Sequence, residues 1–166
     1  MKFRNWCAVL ALAACAVARG EAEEAAWPQS YAGASGALVL PQGGSRLRRL
    51  GGAAARLGRY VTENVALEVE LGSFEDRAGL AARAVCHWRG WEEYDRLFGY
   101  SQFDPFFTLG ARGWIDRAGV GPEAGVGALY YLTDAWALRT EAGATLALDA
   151  GAEVVFAVSC GVQFSF

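Results

Sequence analysis

The stretch Glu153 to Phe166, EVVFAVSCGVQFSF, alternates between two kinds of side chain. Val154, Phe156, Val158, Cys160, Val162, Phe164 and Phe166 share one face, and Glu153, Ser159, Gln163 and Ser165 fall on the other. Successive side chains of a β-strand point to opposite sides, so the pattern predicts one strand with an apolar and a mostly polar face. A strand of a soluble sandwich usually runs to about 5–6 residues, whereas a tilted strand crossing a bilayer needs about 9–11. The stretch is long enough for the second and too long for the first.

The alternation recurs upstream. Trp136, Leu138, Thr140, Ala142, Ala144, Leu146 and Leu148 oppose Arg139, Glu141, Gly143 and Thr145. Val65, Leu67, Val69 and Leu71 oppose Glu68, Glu70 and Gly72, and Leu80, Ala82, Ala84, Cys86 and Trp88 oppose Arg83, His87 and Arg89. Weaker segments at Tyr31 to Leu40, Gly52 to Thr62, Phe106 to Ile115 and Glu123 to Leu132 bring the expected number of strands to eight. An even number of long strands joined by short polar or Gly-rich connections (75–78, 116–121, 149–151) predicts an all-β fold, an antiparallel up-and-down transmembrane β-barrel. Closure removes the unpaired strand edges that lipid penalises. In the second strand Arg56 and Arg59 have opposite parity, so one of them must face outward or sit at a bulge.

An internal repeat supports this spacing. Val61 to Gly72 aligns without gaps on Leu132 to Gly143, each copy a tight turn feeding an outgoing strand. Placed as third and seventh of eight strands, the copies stand on opposite walls with Glu70 and Glu141 facing inward.

The N-terminus reads as an export signal. Lys2 and Arg4 precede an apolar run from Trp6 to Ala18 that contains Ala16-Val17-Ala18 and leads into acidic residues. At about 13 residues this run falls short of the ~20 of a membrane helix, and the layout is that of a cleaved signal peptide. The expected division is a signal at 1–18, a short segment at 19–29 and the barrel domain at 30–166. Leu12-Ala13-Ala14-Cys15 also resembles a lipoprotein signal, in which Cys15 would be lipidated; either reading exports the chain. Losing Lys2 and Arg4 from 15 basic against 18 acidic side chains leaves a net charge of about −5, which is no footprint for nucleic acid. Cys86 and Cys160 remain for an oxidising compartment. On the fourth and eighth strands they would lie across the barrel from each other, too far apart to bridge, and are expected as free thiols.

With these features the chain resembles the small eight-stranded outer-membrane β-barrel family, the group of the OmpA transmembrane domain and OmpX. Its Ser159-Cys160-Gly161-Val162-Gln163-Phe164-Ser165-Phe166 is similar to the family's assembly signal, carried here by Ser159, Gly161, Phe164 and Phe166. Leu132-Thr133-Asp134-Ala135-Trp136 resembles the family's short periplasmic turns, and Phe103-Asp104-Pro105-Phe106-Phe107 the start of its fifth strand. The resemblance implies a monomer in the outer membrane whose partners are lipid, lipopolysaccharide and, during insertion, the barrel-assembly machinery. A C-terminal peptidoglycan-binding domain, present in some relatives, is not expected here.

Apolar faces turned to lipid put Glu68, Glu70, Glu141 and Glu153 in the lumen with Arg83, Arg89, Arg112 and Arg139. An eight-stranded barrel is just wide enough inside for side chains to fill it, and buried charge is tolerated only when paired, so balanced charges predict a closed, ion-paired interior. His87, the only histidine, joins this network as a hydrogen-bonding residue. It gives neither a metal cluster nor a paired nucleophile. Outer-membrane lipid A deacylases are eight-stranded too, but their pattern sets a Ser two residues after the His, where this chain has Arg89. No enzyme activity and no cofactor is expected. Tyr60, Trp88, Tyr130, Tyr131, Trp136, Phe164 and Phe166, near strand ends, read as an interfacial girdle. Residues 90–103 carry Trp91, Tyr94 and Phe98 at a spacing that suits a short helix or an aromatic-rich turn. Arg46, Arg48 and Arg49 in the first outer loop either pair with lipopolysaccharide phosphates or are simply solvated. The functional expectation is a structural, envelope-integrity barrel. The alternatives are a narrow pore or hydrophobic-solute channel, and a secreted, lipocalin-like carrier with its apolar faces inward.

Overall fold

Alternating sequence becomes alternating burial along all eight strands of the protein. The structure, a computed structural model, describes residues 30–41, 50–74, 77–88, 102–115, 119–148 and 153–166. The strands are β1 (Ser30–Pro41), β2 (Leu50–Thr62), β3 (Val65–Phe74), β4 (Arg77–His87), β5 (Phe103–Trp114), β6 (Val120–Tyr131), β7 (Trp136–Ala147) and β8 (Glu153–Ser165). Each pairs antiparallel with its sequence neighbour, and β1 pairs with β8 to close the barrel. At the seam Ser30 N donates to Phe166 O at 3.1 Å and Phe166 N to Ser30 O at 2.9 Å. No sheet edge is left to the surroundings, which is what a sheet in lipid requires.

The two aligned turns are built alike. Thr62 Oγ1 accepts from Asn64 N and Val65 N (3.3 and 3.1 Å), and Thr133 Oγ1 accepts from Ala135 N and Trp136 N (3.3 and 3.0 Å). In each copy one hydroxyl ties the loop backbone to the first residue of the outgoing strand, a local device that Thr supplies and most side chains cannot. These turns lie at the end of the barrel that carries Ser30 and Phe166; the opposite end is called the mouth.

The strands run further than the alternation suggests. β4 begins at Arg77 and β5 at Phe103, because the ladder continues through Phe74↔Arg77 and through Asp104↔Leu129 and Pro105↔Ala128. In β2 both solutions to the parity conflict occur: Arg56 is buried inside, Arg59 is half-exposed on the outer face, and the register shifts between Tyr60 and Thr62.

Polarity is inverted relative to a soluble protein. Leu38, Leu57, Leu71, Leu109 and Val126 are each more than half exposed on the outer face, while Glu68, Glu70, Arg83, Arg112 and Arg139 are buried within. A continuous apolar outer wall of this kind is unfavourable in water and suited to hydrocarbon. A lipocalin-like carrier needs the reverse arrangement. No helix among the described residues is long and apolar enough to cross a membrane.

Trp88, Tyr130, Trp136, Phe164 and Phe166 are exposed near the terminal end, with Trp136 and Phe164 centroids 4.9 Å apart. Two aromatics expected in that girdle sit elsewhere. Tyr60 is buried and Tyr131 packs against the same inner cluster, because their parity follows the inward rows Arg56-Gly58-Tyr60 and Leu129-Tyr131. Cys86 and Cys160 are free thiols on the outer faces of β4 and β8. The segment at 89–101, the first outer loop with Arg46, Arg48 and Arg49, and the N-terminal 1–29 with Cys15 lie outside the described residues.

Candidate functional site

The lumen divides into three layers that follow the size and charge of the inward side chains. At the terminal end Tyr31, Tyr60, Ala66, Val85, Phe106, Leu129 and Ala137 form one buried cluster, with Tyr131 packed against it. It is a plug. Tyr31 fits only because position 58 is glycine; a Cβ there would fall inside the Tyr31 ring. His87 lies in this layer with its ring 5.3 Å from that of Tyr60 and 5.7 Å from that of Phe106. Its Nδ1 is 3.0 Å from Asp104 Oδ2, which also accepts from the Tyr131 hydroxyl at 3.2 Å. The carboxylate thereby orients the imidazole.

The middle layer is a network of four glutamates and four arginines: Glu68, Glu70, Glu123 and Glu141 with Arg56, Arg83, Arg112 and Arg139. Arg83 is its hub. Its guanidinium reaches Glu68 (2.6 Å), Glu70 (2.5 Å), Glu123 (3.1 Å) and Glu141 (2.7 Å). Arg139 bridges Glu68 (2.6 Å) and Glu141 (2.9 Å), and Arg112 bridges Glu70 (2.7 Å) and Glu123. Arg56 pairs with Glu70 at 2.9 Å and donates to Ser35 Oγ at 2.9 Å. The planar guanidinium fork has five donors, which is why arginine and not lysine can serve several carboxylates at once. Tyr31 donates to Glu68 at 2.8 Å, Thr145 to Glu123 at 3.1 Å, and Arg139 lies 4.6 Å from the Phe106 ring centroid, so network and plug are continuous.

The glycine pattern fits this packing. Gly110 and Gly161 lie in the row of the network, and a Cβ at Gly110 would strike Arg83, while one at Gly161 would strike Ala34 O and Ser35 across the closing seam.

Of the residues the sequence assigns to the lumen, Glu68, Glu70, Arg83, Arg112, Arg139 and Glu141 come together in the network, and His87 sits beside it in the plug. Glu153 is in β8 at the mouth, opposite Ala147, and its side chain is outside the described set, as is Arg89 altogether. The fourth acid and fourth base among the described residues are instead Glu123, which the sequence reading leaves out of the lumen as it does Asp104, and Arg56, which it leaves undecided against Arg59. Strand parity carried through β2 and β6 points to both network residues. Among the described residues no group of three or more His, Cys, Asp and Glu is placed to hold a metal ion.

Of the four positions expected to carry an assembly signal, Ser159 and Gly161 face the lumen, whereas Phe164 and Phe166 are exposed outside with ring centroids 5.9 Å apart.

Closed eight-stranded topology, apolar exterior and charged interior define the class: a small β-barrel of the outer-membrane type. Solved structures agree at the level of the fold. The chain is similar to Neisserial surface protein A at TM-score 0.66 and 11% identity, covering 82% of this chain and 97% of that one. It is similar to a de novo designed transmembrane β-barrel at TM-score 0.60 and 16% identity, covering 84% and 97%. The outer-membrane enzyme PagL matches at TM-score 0.51 and 12% identity, covering 81% and 99%. No protein-family model matches the chain. No curated protein matches it either. Neighbours that include a designed scaffold and an enzyme show that this fold does not itself dictate an activity.

Proposed function

We propose that the protein is a structural barrel of the outer membrane that contributes to envelope integrity and neither conducts nor catalyses. The observation that carries this reading is Arg83, whose side chain meets glutamates from β3, β6 and β7 across the middle of the lumen. With the aromatic plug behind it, a solute passing through would have to break several buried ion pairs, each costly to open because an uncompensated charge is left behind. Against catalysis stands the placement of His87: packed in the plug against the tilted rings of Tyr60 and Phe106, it is buried away from any surface that a lipid substrate would reach.

The same reading gives roles to residues at the two ends. Phe164 and Phe166, outward on the last strand, together with Ser159 and Gly161 serve as the signal for the barrel-assembly machinery. Arg46, Arg48 and Arg49, in the sequence between β1 and β2, pair with lipopolysaccharide phosphates. Deleting the gene in its host should raise sensitivity to bile-salt detergents, with restoration by the intact chain. A deletion strain with an unchanged detergent threshold would count against the integrity role, and a triple Arg→Ser variant that restores as well as the intact chain would remove the lipopolysaccharide contact.

A further inference from the structure

The aromatic girdle at the terminal end of the barrel is built on one side only. Trp88, Phe103, Tyr130, Trp136, Phe164 and Phe166 are exposed at that end of β4 to β8. The outward positions at the same end of β1, β2 and β3 are Ala32, Leu57, Arg59, Val61, Val65 and Leu67. Among the described side chains of the strands, Arg59 is the one charge on the outer wall. Carried two residues upstream, the internal repeat sets Arg59 of β2 against Tyr130 of β6. These strands stand on opposite walls, so the arginine occupies the level at which the other wall has a girdle aromatic.

Arg59 has a polar neighbour. Directly across the β1–β2 ladder from it is Ser30. Tyr31 is buried inside, so Ser30, one residue before it, is turned outward beside Arg59. Residues opposite each other across a ladder have Cβ atoms about 4.5–5.5 Å apart. A hydroxyl and a guanidinium thus stand side by side on a wall whose adjoining side chains, Leu57, Val61 and Leu67, are apolar and exposed.

We propose that Arg59 and Ser30 together hold the phosphate of a phospholipid in the leaflet at the terminal end. A cation on the outer wall of a barrel is least costly near the interface, and the long stem of an arginine lets its head snorkel there along apolar surface. The ligand is set by what surrounds the pair: an anion that reaches it must bring an apolar body to lie against Leu57, Val61 and Leu67, and a phospholipid has both. Phosphate oxygens match the planar guanidinium fork, and the serine hydroxyl adds a further donor. Arg59 also contacts the chain itself, and a group with five donors can do so while still presenting others to a phosphate. Amphipathic rings hold the barrel at the headgroup level on its aromatic side. A bound lipid phosphate does so across the gap in the girdle.

The test uses the full refolded barrel, labelled with carbon-13 at arginine Cζ, in phosphatidylglycerol bilayers and phosphate-free buffer, so that lipid is the only source of phosphorus. Solid-state NMR then reads the dephasing of each arginine carbon by phosphorus. Arg59→Gln should abolish one dephased component, and Ser30→Ala should slow the dephasing of that same component as the phosphate moves away. Other arginines, Arg46, Arg48 and Arg49 included, give the same background in every sample. Should Arg59→Gln lack the heat-modifiable mobility of a folded barrel, Arg59→Lys, which keeps the charge, removes the same arginine signal. Equal dephasing in the unaltered barrel and a folded Arg59 variant, or in the unaltered barrel and Ser30→Ala, would overturn the proposal.

Discussion

Glu68 and Arg139 occupy the same position in the two copies of the internal repeat, on β3 and β7, and meet at 2.6 Å inside the barrel. The two strands share no backbone ladder. A repeat that differs in charge at one inward position thus ties opposite walls together, and Glu70 and Glu141, its second matching pair, are joined through Arg83.

Because this pair is fully buried, removing either member leaves the network one unbalanced charge in the interior. Glu68→Gln and Arg139→Gln should each destabilise the barrel by about 3–5 kcal/mol. The double variant should cost less than the sum by about 0.5–3 kcal/mol, as expected for residues in contact. Equilibrium urea unfolding from lipid vesicles measures both; strict additivity would show that the pair is not coupled.

Arg83 should be the least replaceable arginine. An ammonium group is a compact point charge without the guanidinium fork, so Arg83→Lys cannot hold glutamates on three strands at once. Arg112 bridges Glu70 on β3 and Glu123 on β6. Arg83→Lys should therefore lower the gel-shift transition temperature more than Arg112→Lys, and the reverse order would displace Arg83 as hub.

Two glycines in the same strand make opposite predictions. A Cβ at Gly58 would intersect the Tyr31 ring, whereas one at Gly51 meets nothing within 4 Å. Overpacking of a tight site typically costs about 1–3 kcal/mol. Gly58→Ala should show a loss of that order, largely suppressed when combined with Tyr31→Ala, and Gly51→Ala should be close to neutral in the same unfolding assay.

Lipid outside means that a charge placed there should cost according to depth. Leu109, midway along β5, and Val61, next to the 63–64 turn, are both exposed on the outer face. Arginine at mid-depth costs about 2–4 kcal/mol and near the interface about 0–1. Leu109→Arg should therefore destabilise markedly more than Val61→Arg in vesicle unfolding. Equal effects would fit a barrel surrounded by water.

The architecture was legible wherever large apolar residues alternate with charged ones. β3, β7 and β8 read directly for that reason, and the repeat supplied their spacing. β2 and β6 were harder because their alternation is between small residues: LGGAAARLGRYVT and VGPEAGVGALYY offer no large outward row to set the parity. Arg56 and Glu123 sit on those two strands; the sequence reading left Arg56 undecided against Arg59 and missed Glu123. Tyr60 and Tyr131 were misread for a related reason, since an aromatic beside a turn belongs to the girdle or the plug depending on parity alone. Asp104 was hidden because the alternation in β5 becomes clear only from Phe106, two residues after the carboxylate that orients His87.

The most direct test of a lumen closed by Arg83 and its four glutamates is single-channel recording of the refolded protein in planar bilayers, with insertion verified separately by heat-modifiable mobility. Current indistinguishable from the bare membrane is the predicted result. Reproducible unitary steps from the unaltered protein would contradict it.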